Sequence, residues 1–275
     1  MLDEESRGSG TFLTKKRYLL GLVTIFVSAY SQYFIGGISP VLSTAIVYGV
    51  PLLVTTILFG KEIMRRAFNH VYKAAKYGLG FFGAFTVLGT IVANVVFLII
   101  TTFEPSAVNV LQRPNPVLNV SPAIAWEMVW VSLLVVGPVE EYLFRGYVYG
   151  GLLNHFKNHH WLTLAFVSSI MFAAAHLYYA LVYGIVSLIQ FTDLIAFGMA
   201  MAATFYVSGG NILVPALIHG AYDATGFIGI ATSTDVASLL RGSMILVGVI
   251  VAIIIFLQRD HRNEPQGIPL SFENN

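Results

Sequence analysis

Residues 122 to 145 read Pro122-Ala-Ile-Ala-Trp-Glu-Met-Val-Trp-Val-Ser-Leu-Leu-Val-Val-Gly-Pro138-Val-Glu140-Glu141-Tyr-Leu-Phe-Arg145. The apolar run continues to residue 154, too long for one straight crossing of a bilayer. Pro138 removes a helical hydrogen bond and clashes with the carbonyl four residues back, so a kinked or broken helix is expected, with the glutamates just beyond the proline. Each ionisable group inside such a segment costs roughly 2.5 to 3.5 kcal/mol to insert, so it persists where it pairs or acts. The adjacent Glu140 and Glu141 are therefore candidate functional residues.

The rest of the chain fits that setting. Of 275 residues, 56% are hydrophobic and 11% charged, far below the charged fraction of an ordinary soluble domain. Seven further apolar segments lie at about 18–36, 41–60, 78–102, 161–182, 187–207, 211–230 and 241–258, each near the length a membrane helix needs. The expected fold is all-α, a polytopic membrane helical bundle of about eight transmembrane helices. Residues 1–17 form an N-terminal segment ending Lys15-Lys16-Arg17, ahead of an uncleaved first span. Residues 18–121 hold the N-terminal transmembrane helices, with a basic interfacial helix, or a basic loop that only fixes topology, at 61–76. Residues 122–230 form a polar-bearing core, and 231–275 the last helix and C-terminal tail.

Placing the amino terminus inside gathers Arg7, Lys15, Lys16, Arg17, Lys61, Arg65, Arg66, Lys73, Lys76, Lys157, Arg259 and Arg262 on one side. Arg113 and Arg241 fall on the other, so the positive-inside rule places both termini in the cytoplasm. Net charge is +1, and no basic stripe interleaved with aromatics marks a nucleic-acid groove, so no nucleic acid partner is expected. The chain has no cysteine, which excludes a thiolate nucleophile and cysteine-ligated zinc.

The buried polar residues have helical spacing. Glu141 and Arg145 are four apart and can pair, with the acid first, the favoured order. Glu140 projects about 100° away and is free to face another helix. Phe172 and His176 are four apart across three alanines, and His219 and Asp223 across Gly220, Ala221 and Tyr222, so small residues let neighbouring helices approach. Counted from the cytoplasmic ends at ~1.5 Å per residue, His219 is about 12 Å deep and His176 about 22 Å. Three helices each presenting an acid or base on a crowded face suggest one converging site.

Glu-Glu-x-x-x-Arg, then Phe-x-x-x-His, then His-x-x-x-Asp, in that order on separate apolar segments, resembles the CPBP (Abi) intramembrane protease family, which includes the type II CAAX prenyl endopeptidases. The resemblance covers roughly residues 122 to 230. It implies a membrane-embedded peptidase in which Glu140 and His176 activate a water for attack on a peptide carbonyl. His219 and Asp223 would line the oxyanion position, while Glu141 and Arg145 hold the first motif. Asp223 departs from the prenyl endopeptidase pattern, where Asn supplies a donor amide. An ionised Asp only accepts.

The implied partners are membrane lipid and a peptide or protein substrate, including one lipidated at its C-terminus. The implied location is a prokaryotic plasma membrane. Metal dependence stays open. Glu140, His176, His219 and Asp223 are an adequate zinc set, yet no His-Glu-x-x-His occurs, and a glutamate-activated water without metal is slightly preferred. Gly-x-Ser-Gly and Gly-x-Gly-Asp sites of other intramembrane proteases are absent. A non-catalytic relative acting as an immunity or scaffold protein is the alternative. A proton-coupled transporter fits less well, since polar residues occupy one half of the chain.

Overall fold

The computed structural model describes residues 13–35, 45–111 and 120–258. In lipid every backbone N–H and C=O must bond within its own segment, so apolar stretches fold as helices. No strand occurs among the described residues. Helix α1 is Lys15–Ile35. A π-helical turn, Ala45–Gly49, leads into α2, Val50–Arg66. Then come α3 (Val71–Phe103), the short α4 (Ala107–Leu111) and the long α5 (Pro122–His155). They are followed by α6 (Trp161–Ala175), α7 (Tyr178–Tyr183), α8 (Ser187–Val207), α9 (Leu213–Thr232) and α10 (Val236–Leu257).

Among the described residues, six helical stretches are long and apolar enough to cross a membrane: Ile46–Arg66, Val71–Phe103, Pro122–His155, Gly184–Val207, Leu213–Thr232 and Val236–Leu257. The chain is a polytopic helical bundle of the membrane. Eight spans were expected; α1 and the 15-residue α6 lie outside the set of six. Leu19, Val23 and Val27 on α1 and Leu246, Ile250 and Ile253 on α10 are exposed, an apolar exterior that suits lipid. Residues 1–12, 36–44, 112–119 and 259–275, with Arg7, Arg113, Arg259 and Arg262, lie outside the described residues.

The ends of the bundle differ in charge. Tyr147 Oη donates to Arg17 O at 2.7 Å and Asn69 Nδ2 to Gly209 O at 3.3 Å, while Lys76 Nζ donates to Gln258 Oε1 at 3.3 Å. These contacts gather the start of α1, the α2–α3 turn, the α8–α9 turn and the end of α10 at one end, with most of the cations. The basic segment 61–76 is not a separate interfacial helix. Its first part completes α2, a turn with left-handed His70 (φ 43°) follows, and the remainder begins α3.

A kinked or broken helix was expected at Pro138, and α5 runs through it without a break. A π-helical stretch, Ser132–Val136, precedes the proline, and Gly137 N–H bonds Ser132 O five residues back. The widened turn accommodates the ring without freeing the chain. A second π-helical stretch, Tyr142–Tyr149, is buried throughout. Beside Pro138, α5 touches α9 backbone to backbone. A Cβ on Gly137 would lie 2.6 Å from Ala216 O, and one on Gly220 would lie 2.7 Å from Ser132 O. That contact seats the glutamates beside His219. Gly220→Leu is expected to separate the two helices, with an overpacking cost of about 1–3 kcal/mol. A thermal unfolding midpoint equal to that of the unmodified protein would contradict this.

Candidate active site

The structure brings all seven residues of the three motifs together. Glu141 is fully buried and Arg145 is 1% exposed; Arg145 Nε lies 3.1 Å from Glu141 Oε2. Arg145 Nη2 also donates to Gly198 O at 3.4 Å, and the guanidinium stands 4.7 Å from the Phe172 ring centroid. This cation therefore links α5 to α8 and α6. Glu141 has a second partner that the spacing did not reveal: His219 Nδ1 is 2.7 Å from Glu141 Oε1. An ionised carboxylate only accepts, so Nδ1–H donates to it and Nε2 is turned into the cluster.

Glu140 faces the other way, as its angular offset implied. Its Oε2 lies 3.9 Å from His176 Nε2 and 3.8 Å from His219 Nε2. His176 Nδ1 is 2.9 Å from Phe172 O. A carbonyl cannot donate, so His176 carries its proton on Nδ1, and in the neutral ring Nε2 is a free acceptor aimed at Glu140. Asp223 Oδ2 lies 3.4 Å from His219 Nε2, and its side chain is 36% exposed. Phe197 packs edge-on against His219 with ring centroids 4.8 Å apart.

His176 is not inside a continuous span over 161–182. Helix α6 ends at Ala175, and His176 is its C-cap, with φ −98° and ψ 15°. The bond from His176 N–H to Ala173 O, at 2.9 Å, tightens this last turn and holds the imidazole over Phe172. The unequal depths expected for the two histidines are also corrected, since both rings stand within 4 Å of one carboxylate oxygen. The reason lies in the α8–α9 turn: Ser208 and Asn211 are fully buried, and Asn211 Nδ2 donates to Asn69 O at 2.6 Å. Helix α9 therefore starts beneath the α2–α3 turn, which covers it at the basic end.

Tyr48, in the π-helical turn before α2, joins the site unannounced by any motif. Its Oη donates to Glu140 Oε1 at 2.9 Å. A lone tyrosine near a span end has no fixed spacing to the glutamates, and only the packing of α2 against α5 brings it there. Other polar residues remain apart: His160 Nδ1 caps α6 by accepting from Leu162 N at 3.2 Å, and Asp193 lies against Gly89 of α3.

Helices α6 and α9 both run from the basic end, whereas α5 runs toward it. Arg145 and Phe172 thus close the cluster on the basic side, while Asp223, His176 and Tyr48 lie toward the opposite end. Glu140, His176, His219 and Asp223 are the residues chemically able to hold a metal. Glu140 Oε2 stands 3.9 and 3.8 Å from the two imidazoles and His219 Nε2 3.4 Å from Asp223 Oδ2, against the ~3.4 Å that two donors share on one tetrahedral zinc. Among the described residues no group of three such side chains is arranged to hold a metal ion.

A multi-pass helical membrane protein with a buried carboxylate–imidazole cluster is the class that fold and site define. Residues 122–225 match the family described as Type II CAAX prenyl endopeptidase Rce1-like. The match bears out the resemblance read from the three motifs, and this segment is similar to an Rce1-like domain, consistent with a relative of the CPBP family. No curated protein and no solved structure matches the chain.

Proposed function

We propose that this protein is an intramembrane endopeptidase that hydrolyses a peptide bond of a membrane-associated substrate, with Glu140 and His176 activating water. The observation that carries this reading is the gap around Glu140 Oε2. At 3.9 Å, Glu140 Oε2 and His176 Nε2 are too far apart to bond and suitably spaced to share one water. Both are acceptors, so such a water gives each a proton and turns a lone pair outward, toward a carbonyl. Glu140 takes the proton as the new C–O bond forms and returns it to the leaving amine. Surrounding helices exclude bulk water and hold these groups ready.

Glu141 and Arg145 act as positioning residues, the first through its bond to His219. The metal-free route is preferred because one water can span Glu140 Oε2 and His176 Nε2 and no His-Glu-x-x-His occurs in the sequence. Addition of a strong chelator is expected to leave cleavage unchanged, and chelator-sensitive cleavage restored by zinc would overturn that choice. The positive-inside rule places the basic end in the cytoplasm, which turns the open edge of the site toward the other leaflet. A C-terminally prenylated peptide is the first substrate to test, with protein in nanodiscs, where both faces are accessible. Cleavage that Glu140→Gln removes supports the reading, and cleavage that the substitution leaves intact refutes it.

A further inference from the structure

The peptidase chemistry above needs a hydrogen-bond donor for the oxyanion, and of the two motif residues expected to line that position, an ionised Asp223 cannot supply one. Asp223 is an acceptor when ionised; His219 has Nδ1–H engaged by Glu141, and its Nε2 stands 3.4 Å from Asp223 Oδ2 and 3.8 Å from Glu140 Oε2, so a proton on Nε2 is held between two carboxylates. The hydroxyl of Tyr48 is the neutral donor standing at this edge. It reaches Glu140 Oε1 at 2.9 Å. Glu140 Oε2, the oxygen facing both imidazoles, is one carboxylate width away.

We propose that Tyr48 is a catalytic residue that supplies the oxyanion donor Asp223 does not, an assignment that rests on the peptidase reading. Before reaction its O–H holds Glu140 by Oε1 and so turns Oε2 toward the water. When water adds to the carbonyl carbon, a C–O bond forms, the C=O π pair moves onto oxygen, and the water proton passes to Glu140. The Tyr48 O–H then turns from Glu140 Oε1 to the new oxyanion. On collapse the C=O bond re-forms, the C–N bond breaks, and the proton held by Glu140 goes to the amine.

The test compares Tyr48→Phe, the double variant Tyr48→Phe/Asp223→Asn and Glu140→Gln with the unmodified protein, each in nanodiscs, on a prenylated peptide. Tyr48→Phe is expected to lower kcat about 10²- to 10³-fold, the usual loss for one oxyanion donor, with KM changed less than about threefold. The double variant is expected to recover about tenfold or more over Tyr48→Phe, because the Asn amide donates where the carboxylate could not. A kcat unchanged in Tyr48→Phe, a loss confined to KM, or no recovery in the double variant would each overturn the assignment. If Glu140→Gln abolishes cleavage while Tyr48→Phe does not, this assignment fails and the peptidase reading stands. Cleavage indifferent to Glu140 would remove both.

Discussion

Replacing Glu140 by Gln is expected to lower kcat about 10³- to 10⁴-fold, at the upper range of what one positioned general base contributes. The substitution is nearly isosteric. Its carbonyl oxygen can still accept from Tyr48, so the contact at 2.9 Å is retained. What disappears is the basic oxygen 3.9 Å from His176 Nε2 and 3.8 Å from His219 Nε2, and with it the proton's destination. KM should change little, since Glu140 acts on the water and not on the substrate. Unfolding should also be nearly unaffected. A non-catalytic relative would instead keep its biological effect after this change, which makes the substitution decisive between the two readings.

The second large effect concerns stability. Arg145→Met is expected to destabilise the folded protein by about 3–5 kcal/mol, the range for breaking a buried ion pair. Arg145 is 1% exposed and meets Glu141 at 3.1 Å, so its loss strands a fully buried carboxylate beside His219. The guanidinium also spans to Gly198 O and covers the Phe172 ring, contacts that a thioether cannot reproduce. Glu141→Gln/Arg145→Met should recover part of the loss, because the uncompensated charge is gone. Equilibrium unfolding in detergent checks both. A loss below about 1 kcal/mol for the single variant would contradict the account.

Much of this architecture was legible because lipid leaves few choices. The expected span at 187–207 coincides with Ser187–Val207, since an uninterrupted apolar run must satisfy its backbone internally. Glu141 with Arg145 and the small face at Gly220 were equally readable, because helical spacing fixes which residues share a side. At Pro138 the missing N–H allows a kink or a break; a π-helical turn absorbs it without a break, and nothing local in Ser132–Val136 distinguishes these outcomes. Counting along each helix from its cytoplasmic end sets His219 shallower than His176, because sequence does not show that the α2–α3 turn covers the start of α9, with Ser208 and Asn211 buried. Tyr48 and the Glu141–His219 bond belong to packing between helices remote in sequence, which no spacing rule encodes.

In the proposed reaction a water held between Glu140 and His176 is the attacking species. The most direct test of this is the proteolysis of a prenylated peptide by the purified protein in nanodiscs, in ¹⁸O-enriched water, with products analysed by mass spectrometry beside Glu140→Gln. The account predicts two peptide fragments from the unmodified protein, one ¹⁸O in the newly formed carboxylate, and no such product from the variant. Labelled product from Glu140→Gln at an undiminished rate would contradict it.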